Sequence, residues 1–236
     1  MNQSLPKLIR VIAFDADDTL WDNQVLYDEV ERHYCRLMAP YGKEDEIRRQ
    51  LFEVESANMP TMGYGTKAFI LSLLQNALEM SNDTIPAAVL HEIHALGTKL
   101  LHNPATPFPG VRETLSKLRK SERYQLVCFT KGELLDQENK CMRSGLRPFF
   151  HHLEITSDKS EQDYINLCNK LDVNPTEFLM VGNSFKSDIH PIVKIGGYGI
   201  HIPYKRMWLY EHIEEYEHPH VLKAQQFSDI LQWLLP

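Results

Sequence analysis

The sequence lacks the features that mark secreted, membrane-bound and nucleic-acid-binding proteins. Its four cysteines form no Cys-x-x-Cys pair, and Cys128 lies in an apolar, strand-like run, which favours reduced thiols in an intracellular protein. Met1–Lys7 contains no apolar stretch long enough for a signal peptide, and no window approaches the length of a membrane span. We therefore expect a cytoplasmic protein that does not associate with membranes.

Basic residues are too few for a general nucleic-acid binder. Lys and Arg number 25 against 32 Asp and Glu, which gives a net charge of −7 and argues against a broad positive surface. Basic residues that serve function are expected to act singly, each holding an anion. A chain of 236 residues, 43% of them hydrophobic, can bury a full core with room for an inserted domain. Both a monomer and a homodimer are compatible with this composition.

Short apolar runs that end in small or polar residues predict buried strands. Three are strong and two weaker: Leu8–Phe14, Tyr124–Phe129 and Phe178–Val181, then His152–Ile155 and Tyr198–Ile202. Helical patterns lie between or after them, at Glu133–Ser144, Ser160–Leu171 and Ser187–Ile195. Strands that alternate with helices predict an α/β fold with a parallel sheet.

Residues 22–103 interrupt this alternation. Successive 3.6-residue apolar patterns predict helices at Val25–Met38, Glu44–Ser56, Thr66–Met80 and Pro86–Leu101. A segment of this length is too long for one crossover, so we predict an all-helical domain at 22–103 and a core formed by 1–21 and 104–236. Residues 59–67 break the helical pattern. They form either a plain interhelical loop or a loop that contacts the site through Tyr64 and Lys67.

Polar side chains follow the three strong strands. Asp15 and Asp17 follow the first, Thr130, Lys131 and Gly132 the second, and Asn183 and Asp188 the third, while Lys159 begins the helix before the third. Ligands of open parallel sheets bind at this edge, so we expect these residues to converge. Paired carboxylates can seat a divalent cation and divide nucleophilic and proton-transfer roles. Taken singly, the same residues could form a polar turn or cap a helix.

The ordered set of motifs resembles the haloacid dehalogenase-like hydrolase superfamily, in its phosphatase branch with a helical cap inserted after the first core strand. The matching segments are Asp15-Ala16-Asp17-Asp18-Thr19, then Thr130, then Lys159, then Gly182-Asn183-Ser184 through Asp188. This resemblance implies a Rossmann-like parallel sheet core flanked by helices. It also implies a Mg²⁺-dependent phosphatase that hydrolyses a small phosphorylated metabolite through an aspartyl-phosphate intermediate.

The resemblance assigns roles to individual residues. Asp15 would be the nucleophile, and Asp17 would protonate the leaving oxygen and later deprotonate water. The phosphate would be bound by the Thr130 hydroxyl, the Lys131 and Gly132 backbone N–H groups and Lys159. The Mg²⁺ ligands would be Asp15, the backbone carbonyl of Asp17 and, from the fourth motif, Asn183 and Asp188, either of which could be the direct ligand.

Asn183 departs from the family pattern, which usually has aspartate there. Its neutral carbonyl removes one negative charge from the site and weakens the expected hold on the metal. The presence of Asp17 argues against a dehalogenase, because a halide leaving group needs no proton. Two alternatives stay open: a phosphomutase of the same superfamily, and a non-catalytic regulatory protein that binds a phosphorylated ligand.

Overall fold

The computed structural model describes residues 5–206 and 209–235. Its strands are β1 (Val11–Phe14), β2 (Gln125–Lys131), β3 (His152–Thr156), β4 (Phe178–Gly182), β5 (Tyr198–His201) and β6 (Val221–Lys223). The α-helices are α1 (Gln24–Met38), α2 (Glu44–Met62), α3 (Thr66–Met80), α4 (Ala87–Leu100), α5 (Val111–Lys120), α6 (Leu134–Arg143), α7 (Glu161–Lys170), α8 (His190–Lys194) and α9 (Leu231–Leu234). The strands are all parallel, in the order β3-β2-β1-β4-β5-β6. The predicted α/β fold is confirmed.

Strand β1 occupies the middle of the sheet and positions the edge that carries the polar residues. All four of its side chains are buried, because helices cover both faces of the sheet. Ile12 and Phe14 pack with α5 on one face, and Val11 and Ala13 pack with α7 and α8 on the other. Phe14 pairs in register with strands β2 and β4, so the residues after all three strands meet at one edge.

Helices α1–α4, here called the helical insertion, separate β1 from α5. They enclose a hydrophobic cluster of their own, whose members include Tyr34, Met38, Leu51, Leu73 and Ile93. None of the helices that the structure describes is long and apolar enough to cross a membrane.

Helix α2 extends beyond its predicted end at Ser56. It continues through Pro60 to Met62, and the Asn58 side chain holds this extension on α3 by donating to Ser72 Oγ at 3.0 Å. Pro60 has no backbone N–H to donate to the Ser56 carbonyl, so the last turn of α2 depends on side-chain contacts such as that of Asn58. The predicted loop at 59–67 shrinks to Gly63–Gly65, whose two glycines have φ of +70° and +127°.

Other elements also differ from the prediction. The helix predicted at Ser187–Ile195 is a π-helical turn, Phe185–Ile189, followed by α8. Pro191 lies in the first turn of α8 and has no N–H for the Ser187 carbonyl, which accepts the Tyr164 hydroxyl at 3.0 Å. Strand β6 was not predicted, because three residues carry too little periodicity to stand out.

Candidate active site

Asp15 lies directly after β1, buried beside a lysine. Its backbone N–H donates to the Val181 carbonyl at 2.9 Å, which extends the pairing of β1 with β4 by one residue. Lys159 Nζ donates to Asp15 Oδ1 at 2.5 Å and to Asp188 Oδ1 at 2.7 Å, and only 3% of Lys159 is exposed. Burial and the nearby Asp188 charge raise the pKa of Asp15 to about 7 despite Lys159. Burial alone would lower the pKa of Lys159, but its two carboxylates raise it, so the lysine is charged.

Asp188 is held by both of its carboxylate oxygens. One accepts from Lys159, and the other accepts from the Ser184 backbone N–H at 2.9 Å. Glycine at 182 permits this approach, since a Cβ there would lie 2.2 Å from Asp188 Oδ2. In this structure, Asp188 therefore orients Lys159.

Three of the predicted metal-binding groups meet at one point. A terminal atom of the Asn183 amide lies 3.2 Å from Asp15 Oδ2, 3.3 Å from the Asp17 carbonyl oxygen and 2.9 Å from Thr19 Oγ1. With its nitrogen turned toward them, the amide donates to all three oxygens. Thr19 completes the cluster, because its hydroxyl lies 3.0 Å from Asp15 Oδ2 and accepts the Asn183 backbone N–H at 3.0 Å.

The donor set at this point fits a magnesium ion. Within residues 5–206 and 209–235, no three His, Cys, Asp or Glu side chains are grouped so that they could hold a metal. A cation here would instead use the Asp15 carboxylate, the Asp17 carbonyl and, with its amide turned over, the Asn183 oxygen. All three are oxygen donors, which Mg²⁺ prefers, and Mg²⁺ commonly keeps several waters in its shell.

Asp17 is surrounded by hydrogen-bond donors. Lys140 Nζ donates to its two oxygens at 2.9 and 2.6 Å, Gln137 Nε2 donates at 2.9 Å and Trp21 Nε1 donates at 2.8 Å. Burial alone would raise the pKa of Asp17, but Lys140 and the other donors lower it. Asp17 is therefore ionised in the resting site at neutral pH.

A chain of polar contacts joins Asp17 to the helical insertion. Lys140 Nζ also lies 3.8 Å from Asp136, whose Oδ2 accepts from the Thr66 hydroxyl at 3.0 Å. Thr66 begins α3 and lies 2.9 Å from the Tyr27 hydroxyl of α1. Because Lys140, Asp136 and Thr66 are all buried, these contacts are shielded from water.

Thr130 lies near the end of β2 and Gly132 follows that strand, so both are at the same edge of the sheet. Thr130 is 2% exposed and is one of the residues that line the cavity described below. Gly132 has φ of +142°, and its N–H donates to the Thr156 carbonyl at 3.0 Å. In this structure the Gly132 N–H therefore extends the β2–β3 pairing, where the sequence predicted a phosphate contact.

The backbone N–H of Lys131 faces the opposite side. Successive N–H groups of a strand alternate in direction, and the Gln125 N–H donates to the Arg10 carbonyl on the β1 side. Lys131, an even number of residues later, directs its N–H to that side as well. Since β1 has ended by this level, the N–H points toward Asp15 and the residues after it.

The side chain of Lys131 is already paired. Its Nζ donates to Glu211 and to Ser187 Oγ, the latter at 2.8 Å, and lies 4.1 Å from the centroid of the Tyr64 ring. The Glu211 carboxylate also accepts from the hydroxyls of Ser184 and Ser187, at 2.5 and 2.6 Å. Tyr64, from the loop of the helical insertion, therefore does reach the site.

Several residues around the site were not predicted. His201 Nε2 lies 3.0 Å from the Asn183 carbonyl and is 1% exposed, and Glu211 follows no strand or motif. Gln137 and Lys140 did carry a signal, because polar residues occupy the buried face of the amphipathic helix α6. Polar side chains on a core-facing stripe are expected only where they have partners.

A cavity of about 200 Å³ lies between this edge and the helical insertion. Residues of the sheet edge form its floor, among them Asp15, Asp17, Thr130, Lys159 and Asn183. Residues of the insertion form its opposite wall, among them Tyr27, Glu55, Asn58, Met59 and Phe69. The predicted site residues therefore open into one shared space.

The chain is similar in sequence and in structure to known proteins. Residues 9–196 match the family model described as haloacid dehalogenase-like hydrolase. The chain is 28% identical over 204 residues to a glyceraldehyde 3-phosphate phosphatase of Methanopyrus kandleri, covering 80% of this chain and 82% of that protein. A phosphatase of the same name from Pyrococcus furiosus is 28% identical over 196 residues, which cover 80% of this chain and 78% of that protein. A haloacid dehalogenase-like hydrolase from Xanthomonas campestris has a similar structure, with a TM-score of 0.85 and 30% sequence identity. The match covers 95% of this chain and 91% of that chain.

Proposed function

Because the chain belongs to the haloacid dehalogenase-like hydrolases, we propose that it is a Mg²⁺-dependent phosphatase that acts on a small phosphorylated metabolite through an aspartyl-phosphate intermediate. The observation that carries the proposal is the buried Asp15 held 2.5 Å from Lys159, with Asp17 two residues away. A carboxylate can accept a phosphoryl group where positive charge and N–H donors hold the phosphate oxygens in line.

Asp15 would attack the phosphorus atom. One of its carboxylate oxygens forms a bond to phosphorus as the bond to the ester oxygen breaks. The Lys159 ammonium, the Thr130 hydroxyl and the Lys131 N–H hold the phosphate oxygens during this step. When bound by Asp15, the Asp17 carbonyl and Asn183, Mg²⁺ would neutralise charge on the phosphate.

Asp17 would move the protons. It gives a proton to the departing ester oxygen and then takes one from the water that attacks the phosphorus of phospho-Asp15. Its ionised resting form suits the second step, and it must take up a proton before the first. Asp188 positions Lys159 in both steps. The helical insertion, with boundaries 22–103, would act as a cap domain that excludes bulk water.

The experiment that tests this function is hydrolysis of p-nitrophenyl phosphate with and without Mg²⁺. We expect release of p-nitrophenol that stops when EDTA removes the metal and returns when excess Mg²⁺ is added. Hydrolysis at the same rate in EDTA, or none at any Mg²⁺ concentration, would contradict the proposal.

Replacing Asn183 with aspartate is expected to tighten Mg²⁺ binding. The carboxylate adds a negative charge 3.2 Å from Asp15 Oδ2, at the point where the metal donors meet. The Mg²⁺ concentration for half-maximal activity should fall about tenfold, a change of about 1.4 kcal/mol. Asn169→Asp on the exposed side of α7 is the matched control and should leave that concentration unchanged. Equal values for the wild type and N183D would show that residue 183 does not bind the metal.

A further inference from the structure

The cations that line the cavity are all engaged by carboxylates in the described part of the chain. Lys159 pairs with Asp15 and Asp188, Lys140 with Asp17, Lys131 with Glu211, and Arg206 with Asp28. Lys159 and the proposed metal would serve the phosphate being transferred. A second anionic group on a substrate would therefore find no unpaired Lys or Arg among these lining residues.

Glu55 is a carboxylate on the cavity wall that the helical insertion forms. Its side chain lines the cavity, and no hydrogen bond or ion pair involves it among residues 5–206 and 209–235. The nearby Glu31 is itself negative and is paired with Arg48. Burial, and then the charge of Glu31, raise the pKa of Glu55 to about 8. This part of the cavity therefore already disfavours one negative charge.

The other residues of the opposite wall limit the size and character of the group that the cavity can hold. Apolar contacts come from Tyr27, Met59, Ala68 and Phe69. The volume of about 200 Å³ lies below the roughly 300–1,000 Å³ of pockets for drug-sized ligands. The space suits a few carbon atoms with polar substituents.

We propose that the substrates are small phosphate monoesters whose alcohol portion carries hydroxyl groups and no second anion, with Glu55 as the specificity-determining residue. This inference rests on the proposed phosphatase function and names its substrate class. A substrate hydroxyl can donate to Glu55 and satisfy its unpartnered oxygens. A carboxylate in the same place would be desolvated with no cation to offset it, and above pH 8 it would also meet the negative charge of ionised Glu55, so discrimination comes from rejecting the wrong group.

Glycerol 3-phosphate and 3-phosphoglycerate form a matched pair for the test, since a carboxylate in the second replaces a CH₂OH group in the first. At pH 9, where Glu55 is ionised, we expect wild-type kcat/KM to favour glycerol 3-phosphate by at least about tenfold. Glu55→Lys should shift this ratio toward 3-phosphoglycerate by about tenfold or more, because it supplies the missing cation. Glu53→Lys, on the same helix but 60% exposed in its side chain, is the control and should leave the ratio unchanged.

Two outcomes would overturn the inference. One is a wild-type enzyme that hydrolyses 3-phosphoglycerate as well as glycerol 3-phosphate; another is a Glu55→Lys variant that keeps the wild-type ratio. Should that variant not fold, as judged by thermal unfolding, Glu55→Gln replaces it and must narrow the ratio at pH 9, where it removes the charge of Glu55. Hydrolysis of p-nitrophenyl phosphate distinguishes failure of the proposed substrate class from failure of the proposed phosphatase function. Activity on it without discrimination overturns the substrate class alone, and no Asp15-dependent activity on any ester overturns the proposed function as well.

Discussion

Asp15→Asn is expected to lower kcat for phosphate ester hydrolysis by about 10³-fold or more. The amide can still accept a hydrogen bond from Lys159, but it cannot form the bond to phosphorus on which the proposed mechanism depends. The measurement is steady-state hydrolysis of p-nitrophenyl phosphate at saturating Mg²⁺. Asp172→Asn is a suitable control because Asp172 is exposed, and its φ of +54° is one that asparagine tolerates.

The same variant should retain its fold, which separates lost chemistry from lost structure. The pKa of Asp15 is raised from 3.8 to about 7 on folding, so the folded state binds the proton more tightly than the unfolded one. The stability that this proton binding provides is present below pH 4 and is lost as the pH rises through 7. At pH 8, Asp15→Asn removes the cost of a buried charge, so its Tm should equal or exceed that of the wild type. A clearly lower Tm at pH 8, with activity lost in parallel, would mean that Asp15 is primarily structural.

Much of the fold could be predicted because its strongest signals are local. The buried run that contains Val11–Phe14 has no polar alternation, as a central parallel strand requires, and the pattern of α3 predicts its bounds at Thr66 and Met80 without error. The end of α2 could not be predicted, because tertiary contacts of Asn58 extend the helix past Ser56. Propensity within α2 carries no information about those contacts on α3.

The residues of the site likewise fall into those that the sequence predicts and those that it does not. Topology alone predicts that Asp15, Thr130 and Asp188 meet, since each follows or lies near the end of a strand. The family and the phosphatase class are confirmed by the relatives, whereas the domain boundaries and the role of each residue stay predictions. Glu211 and His201 could not be assigned, because their partners lie far away in sequence and only the folded chain brings them together.

The environment of Asp17 decides how its replacement should behave. Lys140, Gln137 and Trp21 all donate to its carboxylate, and an asparagine can accept only part of these bonds. Lys140 would keep Asp136, at 3.8 Å, as its remaining partner. The variant should therefore fold with somewhat reduced stability, and its kinetics should reveal which proton transfers were lost.

Asp17→Asn is expected to lower kcat/KM for glycerol 3-phosphate by about 10²–10³-fold, because an alkoxide leaves poorly without a proton. p-Nitrophenolate needs no proton to leave, so the first step should survive with p-nitrophenyl phosphate, while the second step lacks its base. We expect a burst of p-nitrophenol equal to the enzyme concentration, followed by slow turnover as phospho-Asp15 accumulates. Rapid-quench kinetics measure the burst, and mass spectrometry of the quenched protein measures the phosphoryl group. Asp15→Asn should show neither. Equal losses on both esters without a burst would assign Asp17 to holding the site together and leave proton transfer to another group.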